Sequence, residues 1–355
     1  MGKNRARGER VAWAAGLTFA LTAALLMLPP IGAAHVSALP TGATRHAAVA
    51  AGPSTKAQTT CAAGTNPEFV AYNPVTKWYY VTDVVSGQIS VYKATCTIVG
   101  TIALPTGSQP RGVAYSPSTN RIYVADFALD QLYVITKLAI KQTLTDPSFD
   151  GPFAIAYDPS IGYFGGGGSM LVTNAWNGSV SFVSQLTPTG SAHVYYVLGV
   201  GTDPIGITYD PVYDAMIVTN SGSNNVTTFS ASYGTYISTG FGVGSDPFSV
   251  ACSPATVECY VANYNSDNVS VIDAYGVFTS VGVGTEPLGV TYNPATLNMW
   301  VSNYGSRNIS VIGTGNTVIG TNNVPHHWEP AGMAFDAANN KMIVAIWNQA
   351  TVDVF

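Results

Sequence analysis

From residue 60 onward the chain is a series of short apolar stretches broken by turn residues, with no stretch of helical period. Val269-Ser270-Val271-Ile272 and Ile309-Ser310-Val311-Ile312 alternate apolar and polar residues, the period-two pattern of a strand. Prolines set the phase. Pro67, Pro110, Pro152, Pro204, Pro247, Pro287 and Pro330 are each followed two or three positions later by small and β-branched residues, and each opens a short strand. Six of these strands run into a proline turn, at Tyr72-Asn73-Pro74, Tyr115-Ser116-Pro117, Tyr157-Asp158-Pro159, Tyr209-Asp210-Pro211, Cys252-Ser253-Pro254 and Tyr292-Asn293-Pro294. The seventh departs, with Phe335-Asp336-Ala337.

A second strand follows in every copy and ends on a recurring tetrapeptide. The copies read Tyr80-Val81-Thr82-Asp83, Tyr123-Val124-Ala125-Asp126, Leu171-Val172-Thr173-Asn174, Ile217-Val218-Thr219-Asn220, Tyr260-Val261-Ala262-Asn263 and Trp300-Val301-Ser302-Asn303. In the seventh, Ile343-Val344-Ala345-Ile346, the terminal amide is lost. An alternating third strand and a Gly-rich fourth, such as Val281-Gly282-Val283-Gly284, complete each unit of roughly forty residues. Seven units of four strands predict an all-β fold, a seven-bladed β-propeller of four-stranded antiparallel blades. The tetrapeptides resemble the YVTN-type β-propeller repeat family of bacterial and archaeal secreted and surface-layer-associated proteins, over roughly residues 64–355. That resemblance implies the fold and an extracellular or cell-surface setting. It does not imply an activity, because one fold hosts many.

The seventh copy stops at Phe355 after its third strand, which would leave an open sheet edge. Residues Gln58 to Ala62 are therefore expected to supply the missing strand and close the ring. The four cysteines suggest two disulfides in an exported chain. Cys252 and Cys259 flank one hairpin turn and can face each other. Cys61 and Cys96 remain by elimination, yet this drawing sets them near opposite ends of different blades. Either the closing strand has another register or these two thiols are unpaired.

Lys3, Arg5, Arg7 and Arg10 precede an uncharged apolar run from Val11 to Leu28, Pro29-Pro30 ends it, and Val36-Ser37-Ala38 suits a signal peptidase. Residues 1–38 read as a signal peptide or N-terminal membrane anchor, 39–60 as a flexible Ala/Thr/Pro-rich linker, and 61–355 as the propeller. Membrane contact is expected only if the leader stays uncleaved. The chain carries a net charge of −5, and its body offers no basic stripe, which argues against nucleic acid.

Blade geometry places the crossovers and the turns between second and third strands on one face. The residue before each blade proline is Asn66, Gln109, Gly151, Asp203, Asp246, Glu286 or Glu329, so the last four blades bring carboxylates to the channel mouth. Such an arc suits a cation with oxygen ligands. Equally, Asp or Glu caps a turn there. Pro325-His326-His327-Trp328-Glu329 enlarges the last crossover on the same face, either as a site built of His326, His327 and Glu329 or as a rigid loop packed by Trp328. Sequons stand at Asn177, Asn225, Asn268 and Asn308. The last three share one repeat position, so they are either glycosylation sites or by-products of a repeat that wants Asn in the turn and Ser or Thr in the strand.

No haem-attachment, nucleophile-elbow, phosphate-loop or zincin motif occurs. The expectation is a monomeric secreted or surface β-propeller that binds a surface protein or glycan without catalysis and without a resident cofactor. The alternative is a lactonase- or lyase-like propeller enzyme, cation-dependent or not, with its site at the channel mouth.

Overall fold

The computed structural model describes residues 59–160, 168–184, 190–230, 239–273, 276–325 and 328–355. The predicted leader, nearly all of the predicted linker and the pair His326-His327 lie outside the described residues. Among the described residues no helix is long and apolar enough to cross a membrane.

Seven four-stranded antiparallel sheets form the seven blades of a β-propeller. Blade 1 runs Pro67–Asn73, Trp78–Asp83, Gln88–Lys93 and Ile98–Ala103 from the ring's centre outward. The first strands of neighbouring blades touch all the way round, including that of blade 7 (Pro330–Asp336) against that of blade 1. The seventh sheet is completed by Thr59–Ala62, which pairs antiparallel with Thr351–Val354. Closure by the N-terminal strand is thus present, and it removes an edge that would otherwise template aggregation.

The repeat residues explain the local structure. In every blade the register slips immediately after the opening proline, a β-bulge that leaves a strand amide without its ladder partner. In blades 1, 3, 4 and 6 the Thr or Ser of the tetrapeptide supplies that partner. Gly206 N–H donates to Thr219 Oγ1 (2.8 Å), and that hydroxyl donates on to Phe248 O of the next blade (3.0 Å). Gly289, Ser302 and Ala331 repeat this at 2.8 and 2.6 Å. An orphaned buried amide would cost about 1–3 kcal/mol. The small residue two places after the proline has a packing reason as well. A Cβ on Gly206 would sit 2.4 Å from Phe248 O, because adjacent innermost strands approach almost backbone to backbone.

The tetrapeptide's last residue is a buried hub. Asn220 Nδ2 donates to Asn225 Oδ1 (2.7 Å) and Thr227 Oγ1 (2.9 Å), five and seven residues on. Asn263 and Asn303 do the same with Asn268/Ser270 and Asn308/Ser310. The first hairpin turn is set by the side chain before the proline, as where Asp210 Oδ1 accepts from Val212 N–H (2.9 Å). Asp336 Oδ1 accepts from Ala338 N–H in the same way (2.8 Å), so the seventh copy keeps its turn without a proline.

Cys252 and Cys259 are bonded across their hairpin, with Cα atoms 3.9 Å apart. Cys61 and Cys96 are also bonded, Cα to Cα 5.1 Å, which corrects the sequence drawing that set them far apart. The closing strand keeps its expected place. Cys61 is its one buried residue and points into the core shared by blades 7 and 1, among Tyr79, Tyr92 and Val352. The Tyr92 hydroxyl donates to Ala62 O, and the turn after Lys93 carries Cys96 across to meet it.

Candidate functional site at the channel mouth

Crossovers between blades and turns between second and third strands share one face, and the pre-proline residues line it. Asp203, Asp246 and Glu286 adopt left-handed backbone (φ 49°, 54° and 52°), a conformation that short polar residues enter more readily than most others. Their amides are tied to the preceding blade. Asp246 N–H donates to Asn224 Oδ1 (2.8 Å), and Glu286 N–H to Asp267 Oδ1 (2.9 Å). In blade 6 the corresponding acceptor position is Arg307, which can only donate. Glu329 N–H turns instead to Asn348 Oδ1 (3.1 Å), and the Arg307 guanidinium stands 3.6 Å from the Glu329 carboxylate.

The carboxylates themselves are engaged. Asp246 accepts from the Ser221 hydroxyl and from Asn265 Nδ2 (3.1 Å). The phenols of Tyr264 and Tyr304 lie near the carboxylates of Glu286 and Glu329. Burial first, and then these carboxylates, push the Tyr264 phenol up to about 12 and the Tyr304 phenol further still. Neither tyrosine is thereby prepared as a base. Trp328 packs against the core between blades 6 and 7, while His326 and His327 lie outside the described residues.

A file of aromatic rings runs round the mouth from blade 2 to blade 6. Trp176 meets Phe127 (centroids 4.7 Å), Phe127 meets Phe153 (5.9 Å), Phe153 meets Phe248 (5.8 Å), and Tyr264 and Tyr304 follow at 6.5 Å steps. Trp176 is 57% exposed, so its indole is open to a ligand. These residues come from three repeat positions: directly after the tetrapeptide, second after it, and directly after the blade proline.

Sequence reasoning missed the other half of the mouth. The residue after the blade proline is apolar in copies 3 to 7, but Glu68 in copy 1 and Arg111 in copy 2. Those two form a pair, with Arg111 Nη1 2.7 Å from both Glu68 oxygens. The Arg111 guanidinium lies over Phe127 (5.4 Å), Phe153 (5.3 Å) and Trp347 (6.0 Å). Burial raises the Glu68 carboxyl above its ordinary value against the opposing pull of Arg111. The two opposite charges at one repeat position of adjacent copies were the signal.

Beside this pair a pocket of about 670 Å³ opens between the second-to-third-strand turn of blade 1 and the crossover into blade 2, with Trp347 on its rim. The channel below is narrower, about 140 Å³, and lined by innermost strands. Among the described residues, the one group of three metal-ligand atoms within 4.8 Å is Asp210 with Cys252 and Cys259, on the opposite face. Its two sulfurs are bonded to each other, so they do not offer thiolates. The mouth carboxylates do not converge in such a group.

The sequon asparagines Asn225, Asn268 and Asn308 are the hub acceptors described above, and Thr227, Ser270 and Ser310 are the buried second acceptors. Asn177 is exposed. Its Oδ1 accepts from Ser179 (2.6 Å), and its Nδ2 donates to Ser148 O (3.0 Å).

No protein-family model matches the chain, and neither does any curated protein. Solved structures do. A streptogramin B lyase aligns with a TM-score of 0.70 at 15% identity, over 84% of this chain and 96% of that one. The virginiamycin B lyase of Staphylococcus aureus aligns with a TM-score of 0.70 at 17% identity, over 84% and 98%. A catalytically inactive variant of that lyase with quinupristin aligns with a TM-score of 0.71, also at 17% identity. At these identities the likeness speaks for the fold.

Proposed function

We propose that this protein is an exported, monomeric β-propeller that binds carbohydrate at its channel-mouth face without catalysing a reaction. The observation that carries the reading is the file of rings from Trp176 to Tyr304 beside the acidic residues Asp246, Glu286 and Glu329. A sugar ring has an apolar C–H face and a hydroxylated edge, and such a surface answers both. The leader and the two disulfides support an extracellular or cell-surface location. Under this reading the mouth needs no bound cation.

Equilibrium binding of the purified propeller to a panel of neutral and acidic oligosaccharides tests it. At least one should bind, and Tyr264→Ala with Tyr304→Ala should weaken it at least tenfold with an unaltered circular dichroism spectrum. Turnover of a lactone or cyclic depsipeptide by the purified protein would overturn the non-catalytic half of the proposal.

The fold likeness to streptogramin and virginiamycin B lyases supports a second reading, in which the mouth is an active site. His326, His327 and Glu329 would then act as acid–base or cation-binding groups. Quinupristin consumed by the purified protein, and spared by a His326→Ala/His327→Ala double variant, would put this reading in place of the first.

A further inference from the structure

The pocket beside Arg111 differs from the rest of the mouth. Its other polar side chains, Ser86, Thr106, Ser108 and Gln109, are uncharged, and among the described residues no carboxylate lines it. Arg111 is one-fifth exposed and spends Nη1 on Glu68, which is nearly sealed at 4% exposure. Among the described residues its Nε is buried without a partner and no hydrogen bond engages Nη2. The Nη2 group of one guanidinium, an indole on the rim and a set of hydroxyls and amides therefore surround a space the size of a small-molecule site.

Glu68 decides which acceptor Nη2 can take. It already balances the Arg111 charge, 2.7 Å from Nη1. A ligand carboxylate drawn to Nη2 would meet a second carboxylate across one cation, with little water between them. A hydroxyl or ring oxygen meets no such opposition and still receives a charge-assisted hydrogen bond. We propose that this pocket is a subsite for an uncharged pyranose, stacked on Trp347 and hydrogen-bonded by Arg111, and that Glu68 makes it reject acidic sugars. The proposal rests on the carbohydrate reading and names the sugar class and the residue that selects it.

The test is calorimetric and tryptophan-fluorescence titration with maltotriose, cellotriose, mannotriose, chitotriose and trigalacturonate at pH 7. A neutral trisaccharide should bind at least tenfold tighter than trigalacturonate, and Trp347→Ala should weaken it at least tenfold. Glu68→Gln should tighten trigalacturonate at least tenfold, a gain that a folding defect would not produce. Trigalacturonate binding the wild type as tightly as the neutral sugars would overturn the proposal. Should Glu68→Gln not fold, indifference of the neutral sugar to Trp347→Ala overturns it on its own. If that sugar still depends on Tyr264 and Tyr304, the carbohydrate reading survives and only the subsite falls. If no saccharide binds, both fall.

Discussion

Blades 3 to 6 and blades 1 to 2 build the same buried hub with opposite hydrogen-bond polarity. In blades 3 to 6 the hub is Asn, and the residues five and seven places on accept from it. In blade 1 the hub is Asp83, and Gln88 Nε2 (3.4 Å) and the Ser90 hydroxyl (2.6 Å) donate to it. In blade 2, Tyr133 OH donates to Asp126 (2.9 Å) and receives Gln131 Nε2 (2.6 Å). The partners change with the hub, so geometry is held constant while donors and acceptors trade places. What differs is charge. Asp83 is fully buried with Oδ1 unpartnered, and burial pushes its carboxyl up to about 6 despite those donors. Blade 7 takes a third course, with Ile346 at the hub and Asp353 turned to the Thr60 hydroxyl of the closing strand (2.8 Å).

The sharpest way to break this comparison is to put blade 7's choice into blade 5. Asn263→Leu strands Asn268 and Ser270 without their donor and should cost about 2–4 kcal/mol in denaturant unfolding. The loss should be the same at pH 4 and pH 7. A loss under about 0.5 kcal/mol would mean the hub is not structural.

Next in size is Asp83→Asn, which should stabilise. Folding holds Asp83 above its ordinary value near 3.8, so ionising it penalises the folded state. The penalty is absent below about pH 4, grows as pH rises through about 6, and is complete above it. The variant should therefore gain about 1–3 kcal/mol at pH 7 and nothing at pH 4. An equal change at both pH values would show that charge is not the difference between the two hub types.

The smallest effect belongs to Tyr133→Phe, which removes one donor from Asp126 and leaves the ring in place. It should cost about 1–2 kcal/mol at pH 7. If Tyr133→Phe were neutral while Ser90→Ala destabilised blade 1, the two acidic hubs would not be equivalent.

The ring was legible because proline spacing and the tetrapeptide repeat in phase, and the closing strand because the last copy lacks one. The hub exchange was also written in the chain, as Gln88/Ser90 and Gln131/Tyr133 against Ser/Ser, Asn/Thr and Asn/Ser pairs at the same offsets. Reading it required knowing that those positions meet across a turn. Glu68 and Arg111 escaped for a related reason. Which way a residue after the proline points depends on the bulge, and simple alternation does not place it. Cys61–Cys96 lay further out of reach, since it joins neighbouring blades through a turn whose lean is set by packing.

The seam has a mechanical consequence. Thr59 lies opposite Val354 in an antiparallel pair, so chain leading away from both leaves the ladder at the same end. Tension applied between those two ends would unzip the ladder one pair at a time, starting at Thr59 and Val354, with no shearing of all four pairs together. Once it reached Cys61 the load would pass through the disulfide to Cys96. Residues 62–95, which include the first three strands of blade 1, would hang slack in a covalent loop. A tethered propeller of this design yields early at its latch, and the first three strands of its first blade carry no load from that side.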